Sequence, residues 1–205
     1  VLVRADRHRW IHQTNFAGIP ALQLPQDLFA IQEIIFKTQP QVIVELGVAW
    51  GGTTMFIDSF HQGDIIGIDL QIPKHLEKAT KNKSNIKFLI GDSVLSAPTV
   101  SKVVGDRSCM VIVDSMHTHA HVMAELNAYS PLVSSGCYMV VCDTLVDAPR
   151  YHEGDGVRNR PWGPGNSPRS ALNQFLDENS GFSRDENIRN KLLFSCQPDG
   201  YIYKK

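Results

Sequence analysis

Short runs of almost unbroken apolar residues alternate with helix-like stretches through the middle of this chain, and that rhythm restricts the fold more than any other feature. The runs cover residues 41–45, 64–70, 86–90, 108–114 and 137–143, and the stretches at 51–60, 98–104 and 119–129 read as helices. Strands apolar on both faces are buried on both faces, as in a parallel sheet. A strand–helix alternation repeated this often predicts an α/β fold, doubly wound around a mostly parallel sheet. Ahead of it, 27–37 reads as a helix: Asp27 is of N-cap type, Leu28, Ile31, Ile34 and Ile35 recur at helical spacing, and Pro40 stops it. Near the end, 191–195 and 201–204 read as antiparallel strands around Asp199 and Gly200, an Asp-Gly hairpin signal. Residues 147–169, rich in Gly, Pro, Arg and Asn, form a loop long enough to cover a site.

The 205 residues suit one domain spanning 1–205, with 1–40 as a helical lead-in and 144–169 as an active-site loop. A net charge of −1 gives no electrostatic basis for nucleic acid, and no apolar run approaches the roughly 20 residues that cross a bilayer. Neither nucleic acid nor membrane is therefore expected as a partner. Cys109, Cys137, Cys142 and Cys196 lie in strand-like segments without C-x-x-C pairing, the pattern of buried, reduced thiols in a cytoplasmic protein. The chain starts at Val1 with neither an initiator Met nor a signal peptide, and whether residues precede it is left open. Assembly into a homo-oligomer is left open.

The chemistry starts at Glu45. A strand delivers this acid, Gly47 turns the chain so that its backbone approaches a ligand, and Gly51, Gly52 and Thr53 open a helix. Amides at a helix start, helped by the helix dipole, bind anionic groups. The spacing is not G-x-G-x-x-G, so the dinucleotide fingerprint fails, and no Gly-Lys-Ser/Thr makes a P-loop. An acid ahead of the glycine would repel a pyrophosphate and suits a cationic amino group instead; S-adenosylmethionine carries one beside its carboxylate. The next strand ends at Asp69, where an acid commonly holds ribose hydroxyls. The third ends at Asp92 and Ser93, a carboxylate and a hydroxyl able to read an adenine edge. Any one such acid, taken singly, reads better as a helix cap or a solvated turn residue. Three on consecutive strand ends, at the crevice where α/β sheets bind ligands, read as a cofactor site.

The fourth and fifth strands end at Asp114 and Asp143, which should converge. Two carboxylates with water and substrate oxygens make a hard-cation site of the Mg2+ type. A cation there would lower the pKa of a substrate hydroxyl. His117, just beyond Asp114, is placed as the general base. His119 and His121 read as helix-start or surface residues, because a helix opening near 119 splays them away from a shared zinc ion. Trp162 either packs the loop or walls the acceptor pocket.

Together these residues resemble the cephalosporin hydroxylase / rhamnosyl O-methyltransferase family of S-adenosylmethionine-dependent enzymes. The likeness begins at Gly18, Ile19, Pro20, Gln23, Pro25 and Asp27 and runs through Glu45-Leu46-Gly47, Gly51-Gly52 and Gly91-Asp92-Ser93. It continues with Asp114-Ser115-Met116-His117, His121 and Glu125, Asp143-Thr144, Pro161-Trp162-Gly163-Pro164-Gly165-Asn166 and Gly200-Tyr201-Ile202. The resemblance implies a Rossmann-like, seven-stranded sheet with an antiparallel last strand. It implies cofactor contacts at Glu45, Gly47, Asp69, Asp92 and Ser93, with Mg2+ at Asp114 and Asp143; the helix opening at Gly51, Gly52 and Thr53, and Asp114 itself, complete the expected cofactor set. His117 would then deprotonate a hydroxyl on a small-molecule acceptor: a sugar, an antibiotic or another natural product. One departure stands out, since the family pattern usually reads Glu-Asp where this chain reads Cys142-Asp143. Cysteine is a poor ligand for a hard cation. The metal is therefore expected to be weaker, different, or completed by a loop residue such as Asp147 or Asn166. The same departure supports an alternative, a non-catalytic S-adenosylmethionine-binding subunit of a partner enzyme. An NAD enzyme is disfavoured by the glycine spacing.

Overall fold

The computed structural model describes residues 8, 9, 11–149 and 159–205. A two-stranded ribbon, β1 (Asn15–Phe16) and β2 (Ile19–Pro20), precedes helix α1 (Pro25–Thr38). The main sheet then opens with β3 (Val42–Leu46), whose residues are all buried. Helix α2 (Gly52–Asp58) leads to β4 (Asp64–Asp69), and α3 (Lys74–Thr80) to β5 (Ile86–Ile90). Helix α4 (Ser93–Val104) returns the chain to β6 (Cys109–Val113), and α5 (His119–Tyr129) carries it to β7 (Tyr138–Val141). Past the loop come α6 (Pro168–Glu178), β8 (Phe182–Arg184), the short α7 (Glu186–Lys191) and β9 (Tyr201–Lys204).

The seven strands lie in the order β5-β4-β3-β6-β7-β9-β8. The first five pair in parallel, and β9 runs antiparallel to both β7 and β8. Strand pleating sends alternate side chains to opposite faces. Val42, Val44, Leu46, Val111 and Val113 pack on one face against Val100, Leu126, Leu172 and Phe175, from α4, α5 and α6. Ile43, Ile65, Met110 and Ile112 pack on the other against Ile31, Ile34 and Ile57, from α1 and α2. The middle strands β3 and β6, Glu45 of β3 excepted, are apolar because both their faces are covered. Among the described residues, no helix is long and apolar enough to cross a membrane.

Several local expectations change. Helix α1 starts at Pro25, with Leu24 in the N-cap position and no side-chain cap. Proline needs no amide partner in the first turn and is preset for helical φ, so Asp27 is not the cap. Its fully buried carboxylate instead accepts from Ser195 Oγ at 2.6 Å, Tyr201 Oη at 2.9 Å and the Cys196 amide at 2.8 Å. Residues 192–200 are not a strand: Leu193 is 87% exposed, and the antiparallel partner of β9 is β8. Asp199 and Gly200 turn the chain into β9, with Asp199 at a φ of 66°. The four cysteines are free and buried, yet only Cys109 lies within a strand; Cys137 and Cys142 flank β7, and Cys196 lies in the loop before β9. The expected loop ends early, at Ser167, whose side chain forms a capping box with Ser170 to start α6.

Candidate active site

Strand order reverses between β3 and β6, and the C-terminal ends of these two strands frame a crevice. Backbone pairing runs up to its lip: the Gly47 amide donates to Ile68 O and the Asp114 amide to Leu46 O, both at 2.8 Å. Gly47 has a φ of 90°, and a Cβ there would stand 2.1 Å from the Asp114 carbonyl oxygen. The near contact that demands glycine is therefore the neighbouring strand end.

Glu45 lies beneath the crevice, 2% exposed, and is not among the residues that wall the cavity described below. Thr54 Oγ1 donates to its Oε2 at 2.5 Å. Burial pushes the carboxyl from its usual 4.5 up to about 8. In the unfolded chain the same group releases its proton near 4.5, so between those values the folded form binds the extra proton. Stability contributed by that proton is lost as pH rises through the window. Glu45→Gln should therefore flatten the decline in urea stability between pH 5 and pH 8; an unchanged pH profile would show that this carboxyl is already ionised when folded.

The opening of α2 is also occupied by the protein itself. A Cβ on Gly52 would meet Pro20 O at 2.4 Å, and one on Gly51 would meet the Leu76 side chain. Thr53 Oγ1 donates to Ala21 O at 3.0 Å. The helix start expected to hold an anion packs against the lead-in, and Gly51, Gly52 and Thr53 do not wall the cavity.

That cavity, of 380 Å³, is walled by Gly47, Asp69, Asp92, Ser93, Asp114 and Trp162, among others. Its size is within the range of small-molecule sites. Asp69 Oδ2 accepts from the Ala49 amide at 2.8 Å, which fixes the carboxylate at the end of β4. Asp92 caps α4, its Oδ1 accepting from the Leu95 amide at 2.9 Å. Ser93 Oγ turns inward and donates to Glu125 Oε1 at 2.5 Å, and His121 Nε2 lies 3.1 Å from the same hydroxyl. Ser115 Oγ donates to that Glu125 oxygen too, at 2.6 Å. A hydrogen bond to Glu125 holds the His121 imidazole above its usual pKa. His121 is thus a helix-start residue, in the first turn of α5, that also forms part of the cavity wall.

Asp114, His117 and Asp143 converge beside this cavity, with one potential ligand atom from each lying within 4.8 Å of the others. His117 Nε2 stands 3.2 Å from Asp143 Oδ2. Asp143 is left-handed, with a φ of 52°, the kind of strained backbone found at functional sites. Burial, reinforced by Asp143 and Glu45, raises the Asp114 carboxyl well above the usual range. Asp114 and Asp143 are half-buried carboxylates that repel one another, an arrangement that a divalent cation relieves, so the donor set fits one. The Cys142 thiol is fully buried, burial raises it far above its ordinary value, and its sulfur is not among the converging ligand atoms.

The expected loop substitutes do not reach the centre. Asp147 Oδ1 accepts from the Gly165 amide at 2.9 Å and from Ser167 Oγ at 2.7 Å. Asn166 Oδ1 accepts from the His119 amide at 2.9 Å, and its Nδ2 donates to Pro161 O at 2.8 Å. Both shape the loop. It in turn places Trp162 edge-on to the His117 ring, centroids 4.9 Å apart, with Arg160 over the indole at 5.2 Å. His119 bonds Ser170 and Gln174, away from His117 and His121. Glu125, Ser115 and Gln23 all stand in the family pattern, but the sequence alone assigns them no chemistry.

A parallel sheet with this order, closed by an antiparallel strand between β7 and β8, is the class I methyltransferase fold. A profile described as Rhamnosyl O-methyltransferase/CmcI matches residues 8–205, and the chain belongs to that family. It is accordingly an enzyme of the S-adenosylmethionine-dependent O-methyltransferase class. A rhamnosyl O-methyltransferase of Mycobacterium tuberculosis (strain H37Rv) is 23% identical over 98% of this chain and 85% of its own. One of Mycobacterium leprae is 24% identical over 99% and 91%. Among solved structures, CmcI with Mg and SAM is similar at a TM-score of 0.62, with 22% identity over 95% of this chain and 77% of that one. MycE, from the mycinamycin pathway, solved with Mg, SAH and mycinamycin VI, gives 0.52 and 22% over 73% and 41%.

Proposed function

We propose that this chain transfers the methyl group of S-adenosylmethionine to a hydroxyl of a small glycoside or antibiotic, with a divalent cation at Asp114 and Asp143 and His117 as the base. The observation that carries this reading is the convergence of Asp114, His117 and Asp143 at one side of a cavity that also contains Asp69. Relatives named for rhamnosyl O-methylation and for mycinamycin support the acceptor class.

Bound S-adenosylmethionine supplies an electrophilic methyl on a sulfonium, so the protein chiefly has to orient the acceptor and remove its proton. Asp69, held by the Ala49 amide, receives the ribose hydroxyls, and Asp92 with Ser93 lies towards the purine. His117 takes the acceptor proton, and the resulting imidazolium finds Asp143 Oδ2 at 3.2 Å. This is the pairing by which an adjacent carboxylate supports a histidine base. The edge of Trp162 fixes the ring plane and keeps water from it. A divalent cation held by Asp114 and Asp143 supplies positive charge that eases ionisation of the hydroxyl.

Two experiments check this. Asp69→Ala removes the acceptor of two charge-assisted hydrogen bonds, so affinity for S-adenosylhomocysteine should fall roughly 100-fold; a change below about threefold would displace the ribose from Asp69. S-adenosylhomocysteine release, screened across rhamnosides and glycosylated macrolides, should stop with EDTA and return with Mg2+. Full activity in EDTA would remove the cation from the reaction.

A further inference from the structure

Gln23 lies in the lead-in, between β2 and α1, and is 2% exposed. Its Nε2 donates to Asp114 Oδ2 at 2.8 Å and lies 3.7 Å from Cys142 Sγ. Its Oε1 accepts from Gln197 Nε2 at 3.3 Å, and the same Gln197 nitrogen reaches Tyr201 Oη at 3.1 Å. Tyr201 Oη donates to Asp27 Oδ1 at 2.9 Å. The buried string thus runs from one carboxylate to another across three separate segments of chain.

Chemistry fixes its polarity. With Asp114 ionised, as a cation ligand must be, both terminal carboxylates accept, so the string needs a donor facing outward at each end. The Gln197 amide, with two N–H groups, sits in the middle and donates in both directions. That forces the Gln23 oxygen towards Gln197 and its NH2 towards Asp114; the flipped amide would set an oxygen against the carboxylate. Gln197 Oε1 is buried with no hydrogen-bond partner among the described residues.

We propose that Gln23, aligned by Gln197, is a positioning residue that locks the Asp114 carboxylate in the rotamer that receives a divalent cation. The proposal rests on the reading of Asp114 and Asp143 as the cation site. With Oδ2 engaged, the carboxylate cannot rotate freely, and Asp114 presents a fixed geometry towards Asp143 and His117. Partners standing behind metal ligands typically change affinity 10–100-fold when removed.

The test uses the full chain and Mn2+ as the probe, with free Mn2+ followed by electron paramagnetic resonance. Gln23→Met, close in shape but without the amide, should weaken Mn2+ binding roughly 10–100-fold. Affinity for S-adenosylhomocysteine, whose proposed contacts at Asp69, Asp92 and Ser93 are not partners of Gln23, should stay within about twofold. A merely structural role would lower melting temperature and both affinities together. Gln197→Met, one step further back, should weaken Mn2+ binding in the same direction by a smaller factor, and it decides the matter if Gln23→Met does not fold. If the unaltered protein binds Mn2+ and either folded variant binds it equally well, the positioning role is overturned while the cation reading stands. No Mn2+ binding by the unaltered protein overturns both.

Discussion

Replacing His117 by alanine should cut turnover roughly 10²–10⁴-fold, the usual contribution of a positioned general base. Affinity for S-adenosylhomocysteine should hardly change, because His117 is not among the residues walling the cavity proposed for the cofactor. The size of the loss follows from the geometry around the ring. Asp143 stabilises the imidazolium from 3.2 Å, Trp162 holds the ring edge-to-face, and the side chain is only 14% exposed, so bulk water is a poor substitute. The same variant separates two roles for one nitrogen. A base leaves Mn2+ affinity nearly intact when removed, whereas a third ligand takes most of it away. An imidazole in the ligand set would also favour softer ions than Mg2+. Retained turnover in the variant would dismiss the base assignment.

Gly47→Ala should destabilise the fold by about 3 kcal/mol or more, from backbone strain and overpacking combined. The position has a φ of 90°, and the new Cβ would stand 2.1 Å from Asp114 O and 2.6 Å from Asp114 C. Neither strand end yields cheaply. The Gly47 amide is bonded to Ile68 O and the Asp114 amide to Leu46 O, so moving one strand breaks the ladder to its neighbour. Urea unfolding would read the loss as a lower midpoint with an unchanged slope. A loss under 1 kcal/mol would mean that the two strand ends are not held together as described. A folded fraction of this variant should also bind Mn2+ poorly, since the displaced residue is Asp114.

The central sheet was legible to within a residue or two, because strands covered on both faces leave unbroken apolar runs: 86–90 matches β5 without change, and 41–45 is one residue off β3. Helix α3 was invisible, since Leu76 is its one buried apolar anchor and a single anchor has no period. Helix α6 carries Ala171, Leu172 and Phe175 on its buried side, but its Ser-Pro-Arg-Ser start follows a Pro- and Gly-rich loop and lacks the usual acid of a capping box. Leu192, Leu193 and Phe194 look like a strand, but Leu193 and Phe194 face solvent there. At the site, Asp114, His117 and Asp143 could be paired because strand ends in a parallel sheet share one edge. Asp27, Gln23, Gln197 and Glu125 could not be, since their partners lie on other elements. The sequence distances from Gln23 to Asp114 and to Gln197, 91 and 174 residues, exceed anything a local pattern encodes. Gly51 and Gly52 were read for an anion, whereas the lead-in and Leu76 are what leave no room for a Cβ.

Titration calorimetry of the unaltered protein against S-adenosylhomocysteine, and in parallel against NAD, tests most directly whether the cavity between Asp69 and Asp114 is a sulfonium-nucleotide site. Stoichiometric heat with S-adenosylhomocysteine, strongly reduced in Asp69→Ala, and none with NAD is the predicted result. Silence with S-adenosylhomocysteine, or equal binding of NAD, would contradict it.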